Sequence, residues 1–133
     1  ELIYFGVPGR ALPIRLAFSV GKVEFKDTRL TFPEFGKKKA EFPYGQVPVL
    51  LVDGKPLAQS SGILRFVGKL AGLYPSDPFE AAKVDEFSYA LDDLFAPVGL
   101  TFAPEKWGLP KWADEKEKLT CRKKLNDDIL PPN

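Results

Sequence analysis

The sequence contains no histidine and a single cysteine, Cys121. The lack of histidine excludes His-based metal sites and the serine–histidine or cysteine–histidine pairs of many hydrolases. A lone cysteine excludes a disulfide within the chain and is typical of a reducing compartment. The chemistry of this chain must therefore come from other residue types.

Long apolar runs and a strong net charge are also missing. No stretch approaches the roughly 20 apolar residues of a membrane span, and no signal-peptide core precedes the first turn. The net charge of +1 argues against bulk binding to nucleic acid or anionic membranes. With 44% apolar and 28% charged residues, we expect a soluble cytoplasmic protein. Because the chain starts at Glu1 without methionine, a removed organellar leader is an open alternative.

The first half of the sequence alternates strand and helix patterns. Asp53-Gly54 between two apolar runs is a strong hairpin signal, and Gly21 is a candidate helix C-cap. The predicted elements are a strand at Leu2–Phe5, a helix at 10–20, a strand at 23–30, an irregular helix at 33–42, hairpin strands at 48–52 and Lys55–Ala58, and a helix at Ser60–Leu70. This β-α-β-α-β-β-α order predicts an α/β thioredoxin-like domain over residues 1–71.

The second half reads as helix alone. Residues 72–78, with two prolines and a glycine, predict a linker. We predict helices at 79–96 and 111–129, with a loop-like segment between them, so that 79–133 is a partial all-helical domain. Two such helices cannot bury their apolar stripes against each other alone. We therefore expect either further chain or a partner to cover them.

A redox thioredoxin carries a Cys-x-x-Cys motif after its first strand, where the helix N-terminus lowers the thiol pKa. Here that place holds Gly6-Val7-Pro8-Gly9-Arg10. Because both cysteines are missing, disulfide exchange at this site is excluded.

The motifs around this turn carry a resemblance to a known family. Leu2-Ile3-Tyr4-Phe5, Gly9-Arg10-Ala11 and the run from Phe42 to Leu50 resemble a cytosolic glutathione transferase with a tyrosine active site. Gln59-Ser60 continues the match, and Leu91-Asp92-Asp93 is most similar to the sigma class, which includes glutathione-dependent prostaglandin D synthases. The resemblance covers roughly residues 1–95 and implies glutathione as cosubstrate.

Tyr4 and Arg10 are the catalytic residues that this resemblance implies. A thiol with a pKa of roughly 8.5 is mostly protonated at neutral pH. A phenol hydroxyl that donates a hydrogen bond to the sulfur favours the thiolate and so creates a nucleophile. The resemblance gives Arg10 a supporting positive charge. The alternatives are a core tyrosine with a paired hydroxyl and a surface arginine.

Other residues would hold the tripeptide. A cis Val47-Pro48 bond would turn the N–H and C=O of Val47 outward toward the cysteinyl part, whereas an ordinary trans proline is the alternative. Ser60 is a candidate helix N-cap, where backbone N–H groups and the helix dipole attract the γ-glutamyl carboxylate beside Gln59.

For the glycyl end, the resemblance implies an aromatic residue and a lysine. Phe32 stands in place of the family's tryptophan, and Gln46 in place of a common lysine. Lys39 is our choice from the run Lys37-Lys38-Lys39, and a solvated charge run is the alternative.

The helix after the linker supplies the last predicted site residue. Asp93 would reach across a homodimer to the γ-glutamyl amine, with a solvated helix face as the alternative. No metal is predicted, because Tyr89 occupies the place of a carboxylate that holds a cation in some sigma members.

Two functions follow. The first is an enzyme that activates the glutathione thiol for attack on an electrophilic small molecule, or an isomerase or peroxidase variant of it. The second is a non-catalytic glutathione transferase-like binding or scaffold subunit of a larger complex.

Overall fold

The computed structural model of the chain describes residues 1–102 and 104–129. Its contacts divide the chain into two compact units, Glu1–Ala82 and Lys83–Asn133. Residues 103 and 130–133 of the predicted helical domain lie outside the described residues. Among the described residues, no helix has the length and apolarity that a membrane crossing requires.

The first unit is a four-stranded sheet with helices, the thioredoxin-like fold predicted from the sequence. Its strand order is β2-β1-β3-β4, with β2 parallel to β1, and β3 antiparallel to both β1 and β4. The strands are β1 at Leu2–Phe5, β2 at Asp27–Leu30, β3 at Val49–Val52 and β4 at Lys55–Ala58. The helices are α1 at Leu12–Val20, α2 at Phe32–Lys38 and α3 at Ser60–Leu70, with 3-10 turns at Gly9–Ala11, Lys39–Glu41 and Pro43–Gly45.

The core of this unit lies between the sheet and the inner faces of α1 and α3. Ile14 and Phe18, one helical turn apart, are the buried residues of α1. Leu16 and Val20 on the opposite face are 53% and 65% exposed, so an apolar stripe of α1 faces away from the sheet. The core cluster consists of Leu2, Tyr4, Ala11, Ile14, Phe18, Leu50, Ile63 and Val67.

The second strand is shorter than predicted, beginning at Asp27 instead of residue 23. The N–H of Val23 bonds the carbonyl of Phe18 at 2.9 Å and closes the end of α1, so this residue is not free to join the sheet. Gly21 is the C-cap of α1, as predicted, but the left-handed residue is Lys22, with φ 54°. Glycine is required at 21 because a Cβ there would lie 2.3 Å from the Cβ of Ala71.

The long helix α4 spans Pro78–Leu100 and contains Pro97. The prediction of a loop from residue 97 was therefore wrong. A proline removes one N–H donor from a helix, yet α4 continues past Pro97 to Leu100. A turn follows it, in which Thr101 N–H donates to the carbonyl of Val98 at 3.1 Å.

The last helix, α5, spans Glu115–Lys124 and is followed by a π turn at Leu125–Ile129. It begins four residues later than predicted because Asp114 caps it, accepting a hydrogen bond from the N–H of Glu117 at 2.8 Å.

Candidate functional site

Tyr4 lies near the end of β1 and is 8% exposed. Its hydroxyl oxygen accepts a hydrogen bond from the backbone N–H of Arg10 at 3.2 Å. This is the only hydrogen bond of that hydroxyl within the described part of the chain, so the hydroxyl hydrogen is left to be donated. A phenol fixed by an accepted bond, with its own hydrogen unused, can donate to a ligand sulfur.

Gly9 lies beside the Tyr4 hydroxyl. Its φ is +40°, and a Cβ at this position would lie 2.6 Å from Tyr4 Oη. Both the backbone conformation and the contact therefore require glycine. The sequence motif Gly9-Arg10 thus serves Tyr4 through its backbone: Gly9 leaves room for the hydroxyl and Arg10 donates to it.

The side chain of Arg10 reaches toward the start of α3. Its Nη1 lies 3.5 Å from Ser60 Oγ, so the structure brings two predicted site residues together. The predicted role of Arg10 concerned its charge alone. The N–H contact with Tyr4 was missed, since side-chain type gives no information about it.

Val47-Pro48 is a cis peptide bond, the arrangement that the resemblance favoured over the trans alternative. Pro48 is buried and Val47 is half-buried. Among the residues described, neither the N–H nor the C=O of Val47 forms a backbone hydrogen bond. This donor and acceptor pair, at the entry to β3, can bond an extended peptide in the manner of a strand.

Gln59, rather than Ser60, is the N-cap residue of α3, and Ser60 is its first helical residue. The prediction of Ser60 as N-cap was wrong because Gln59 adopts φ 71° and ψ 115°, a turn that ends β4 and begins the helix one residue earlier. In the described part of the chain, the side chain of Gln59 makes no capping hydrogen bond at this end. Such a backbone costs about 1–3 kcal/mol and is concentrated at functional sites. The first N–H groups of α3 have no intrahelical partner and favour an anion.

The residues predicted for the glycyl end lie in or after α2. Phe32 is 69% exposed, and its ring packs at 4.6 Å on Phe5, which in turn lies 5.2 Å from the ring of Tyr4. The side chain of Lys39 runs along Gly45, with Cε 3.5 Å from the position of a Cβ there. Gln46, which is exposed, follows Gly45 in the chain. The aliphatic part of the Lys39 side chain therefore lies beside the loop that carries Gln46.

Asp93 lies on α4 within the second unit and is exposed. Its predicted contact across a dimer stays a prediction. Within the described residues there is no group of three or more histidine, cysteine, aspartate or glutamate side chains that could hold a metal ion.

Arg15 is the residue of this region whose role the sequence reasoning missed. Its guanidinium lies 5.8 Å from the centre of the Tyr4 ring. It bonds Asp27 and the backbone carbonyls of Phe5, at the end of β1, and Val7, in the β1–α1 connection. No local pattern in the sequence indicates these distant partners.

The comparison with known families agrees with this geometry. The model of the glutathione S-transferase N-terminal domain matches residues 1–69, a segment that contains every feature of the site except Asp93. The chain belongs to the glutathione S-transferase family.

Relatives within this family match most of the chain. Glutathione S-transferase S1 of Drosophila melanogaster is 36% identical over 132 residues, which are 98% of this chain and 49% of that protein. Hematopoietic prostaglandin D synthase of Gallus gallus is 31% identical over 130 residues, 98% of this chain and 58% of the relative. This glutathione S-transferase chain therefore spans about half the length of such relatives and is close to the sigma class, as predicted.

The solved structure of prostaglandin synthase D of Nilaparvata lugens is similar in fold. The match covers 96% of this chain and 60% of the chain in that structure, with 34% sequence identity and a TM-score of 0.80. The fold assignment therefore extends beyond the N-terminal domain into the helical part.

Proposed function

We propose that this chain is a glutathione transferase that binds glutathione and activates its thiol for attack on an electrophilic small molecule. The observation that carries the proposal is the Tyr4 hydroxyl, which accepts from Arg10 N–H at 3.2 Å and keeps its own hydrogen for a ligand. Donation of that hydrogen to the sulfur stabilises the thiolate, so that more of the nucleophile exists at neutral pH.

The tripeptide would lie along a path from Val47 to α3. The N–H and C=O of Val47 would bond the cysteinyl residue in strand fashion. The γ-glutamyl carboxylate would bind at the start of α3, beside Gln59 and Ser60, where N–H groups without an intrahelical partner and the helix dipole favour an anion. Phe32, Lys39 and Gln46 would contact the glycyl end.

The test compares wild type with Tyr4→Phe, using retention on immobilised glutathione and conjugation of glutathione to an electron-poor aryl chloride. A hydrogen bond to a charged group contributes about 1.5–3 kcal/mol. We therefore expect Tyr4→Phe to be retained on the matrix but to conjugate roughly 10 to 100 times more slowly. Tyr44→Phe is the matched control, because it removes a hydroxyl from a ring that is 76% exposed.

The outcomes separate the two functions. Wild type that is retained without turnover would support the non-catalytic binding subunit instead of the enzyme. Wild type that does not bind glutathione would contradict both. One similar protein is named a prostaglandin D synthase and another a prostaglandin synthase D. Isomerisation of a prostaglandin precursor is therefore the variant reaction to assay if conjugation is absent.

We further propose a cytoplasmic homodimer in which Asp93 of one subunit bonds the γ-glutamyl amine held by the other. Asp93→Asn should then weaken glutathione binding only at protein concentrations at which sedimentation detects a dimer. Asp53→Asn in the β3–β4 turn is the control for the loss of one charge. Equal affinities of Asp93→Asn and wild type for glutathione at dimeric concentrations would contradict this role.

A further inference from the structure

Arg15 occupies an unusual place for a charged side chain. Its side chain is 14% exposed and faces Asp27, which is 19% exposed. Arg15 Nε bonds Asp27 Oδ1 at 3.1 Å, and Nη2 lies at the same distance from that oxygen. Taking an arginine out of water is costly unless its charge is paired and its N–H groups are bonded. The pairing with Asp27 at the start of β2 meets the first condition.

The remaining contacts of Arg15 are with the segment that follows Tyr4. Nη2 donates to the carbonyl of Phe5 at 3.1 Å, and Nη1 donates to the carbonyl of Val7 at 2.9 Å. Phe5 is the last residue of β1 and Val7 lies in the connection to α1, so the two carbonyls stand on either side of Gly6. The guanidinium therefore ties this connection to both α1 and β2.

The same guanidinium faces the Tyr4 ring, with its central carbon 5.8 Å from the ring centre. Within this range a cation is attracted to an aromatic ring. The hydroxyl at the far end of that ring depends on two further groups of the same connection, the space left by Gly9 and the N–H of Arg10. A shift of the connection would therefore move the ring and the two groups that fix its hydroxyl.

We propose that Arg15, held by Asp27, is a positioning residue for the Tyr4 hydroxyl: it fixes the β1–α1 connection so that Tyr4 Oη stays on the N–H of Arg10. The inference rests on the proposed function for its effect on catalysis. Arg15 itself touches neither thiol nor electrophile in this role. Its effect should therefore fall on the thiolate that Tyr4 stabilises and hardly on the residues that bind the rest of glutathione.

The variants are Arg15→Met, which keeps the stem and loses the bonds, and Arg15→Lys, which keeps the charge. A lysine ammonium cannot span a carboxylate and two carbonyls with the planar fork of arginine, so Lys should not restore function. Arg29→Met is the matched control. Arg29 also bonds Asp27, at 2.9 Å, but its side chain is 61% exposed. Its backbone pairs with Tyr4 in the sheet, but among the described residues its guanidinium bonds neither the Phe5 nor the Val7 carbonyl and does not face the Tyr4 ring.

We expect crystal structures of Arg15→Met and Arg15→Lys to show the distance from Tyr4 Oη to Arg10 N lengthened from 3.2 Å to beyond hydrogen-bond range. A misplacement of about 1 Å can lower a rate roughly 100-fold. We therefore expect kcat to fall about 10- to 100-fold, with the glutathione KM changed less than about threefold. The rise of the conjugation rate with pH should shift to higher pH, whereas Arg29→Met should match wild type.

An unchanged distance, with a kcat equal to that of Arg29→Met, would overturn the proposal. So would parallel losses in kcat and glutathione affinity at an unchanged distance, since these would indicate a purely structural role. If Arg15→Met does not fold, Arg15→Lys decides. If wild type neither binds nor conjugates glutathione, the proposed function fails, and the distance in the Arg15 variants still decides whether this residue positions Tyr4.

Discussion

The position of the Tyr4 hydroxyl depends on the lack of a Cβ atom at Gly9. Gly9 has φ +40°, and a Cβ on it would lie 2.6 Å from Tyr4 Oη. That is shorter than any comfortable contact, so either the ring or the 3-10 turn would move. The predicted catalytic residue Tyr4 thus relies on a glycine that has no reactive side chain.

Gly9→Ala is expected to impair both stability and activity. A left-handed backbone is unfavourable for alanine by roughly 1–2 kcal/mol, and displacement of the hydroxyl should lower conjugation about tenfold or more. Urea unfolding and steady-state kinetics measure the two effects. Gly36→Ala is the control: nothing lies within 4 Å of its Cβ position, and alanine should stabilise α2 by about 0.5–1 kcal/mol. Gly9→Ala with wild-type activity would contradict the close contact.

Single residues also mark the limit of what the sequence could predict. Tyr4, Arg10 and Ser60 were recognised by their type and order, and the structure brings them together. The backbone at Gln59, with φ 71°, could not be anticipated because glutamine rarely adopts it. Arg15 escaped notice because its main partner, Asp27, lies twelve residues away and belongs to another element.

Local capping explains where several elements begin and end. Thr31 caps α2 reciprocally with Glu34: Thr31 Oγ1 accepts from the N–H of Glu34 at 3.3 Å, and the Glu34 carboxylate accepts from the N–H of Thr31 at 2.7 Å. This capping box turns the sequence predicted as an irregular helix from residue 33 into a regular helix from Phe32. Strand β2 was overestimated for a related reason, because Val23 closes the end of α1.

The capping box should make the stability of the protein depend on acid pH. The backbone and side-chain hydrogen bonds from Thr31 lower the pKa of the Glu34 carboxyl below its usual value of 4.5. A carboxyl with a lowered pKa in the folded state stabilises the fold above its unfolded pKa. That contribution is lost as the pH falls through the folded pKa.

Glu34→Gln should therefore flatten the loss of stability seen in urea unfolding as the pH is lowered from about 5 to 3. Glu41→Gln is the matched control, since the Glu41 carboxylate makes no hydrogen bond or ion pair among the described residues. A Glu34→Gln profile that runs parallel to wild type over this window would show that the capping bonds do not contribute.

The first unit contains all the parts of one core. Every member of its core cluster lies between Leu2 and Val67, and the sheet, α1 and α3 are complete within Glu1–Ala82. Alternating strand and helix patterns sufficed to predict this architecture, since each buried face has the period of its element. The helical part was harder to delimit, because proline and charged caps rather than apolar periodicity decide its boundaries.

Residues 1–82 alone are therefore expected to fold cooperatively. Their urea unfolding transitions, followed by circular dichroism and by tyrosine fluorescence, should coincide; this piece contains no tryptophan. In this piece Ile14→Ala should lower the free energy of unfolding by about 2–5 kcal/mol, because Ile14 is fully buried. Leu16→Ala should lower the free energy of unfolding by less than about 1 kcal/mol, because Leu16 is 53% exposed. If the two substitutions destabilise the piece equally, the outer face of α1 is packed in solution and the unit is not independent. A large loss at Ile14 alone would instead establish that the residues before Val67 that are predicted to bind glutathione rest on a core that this unit supplies by itself.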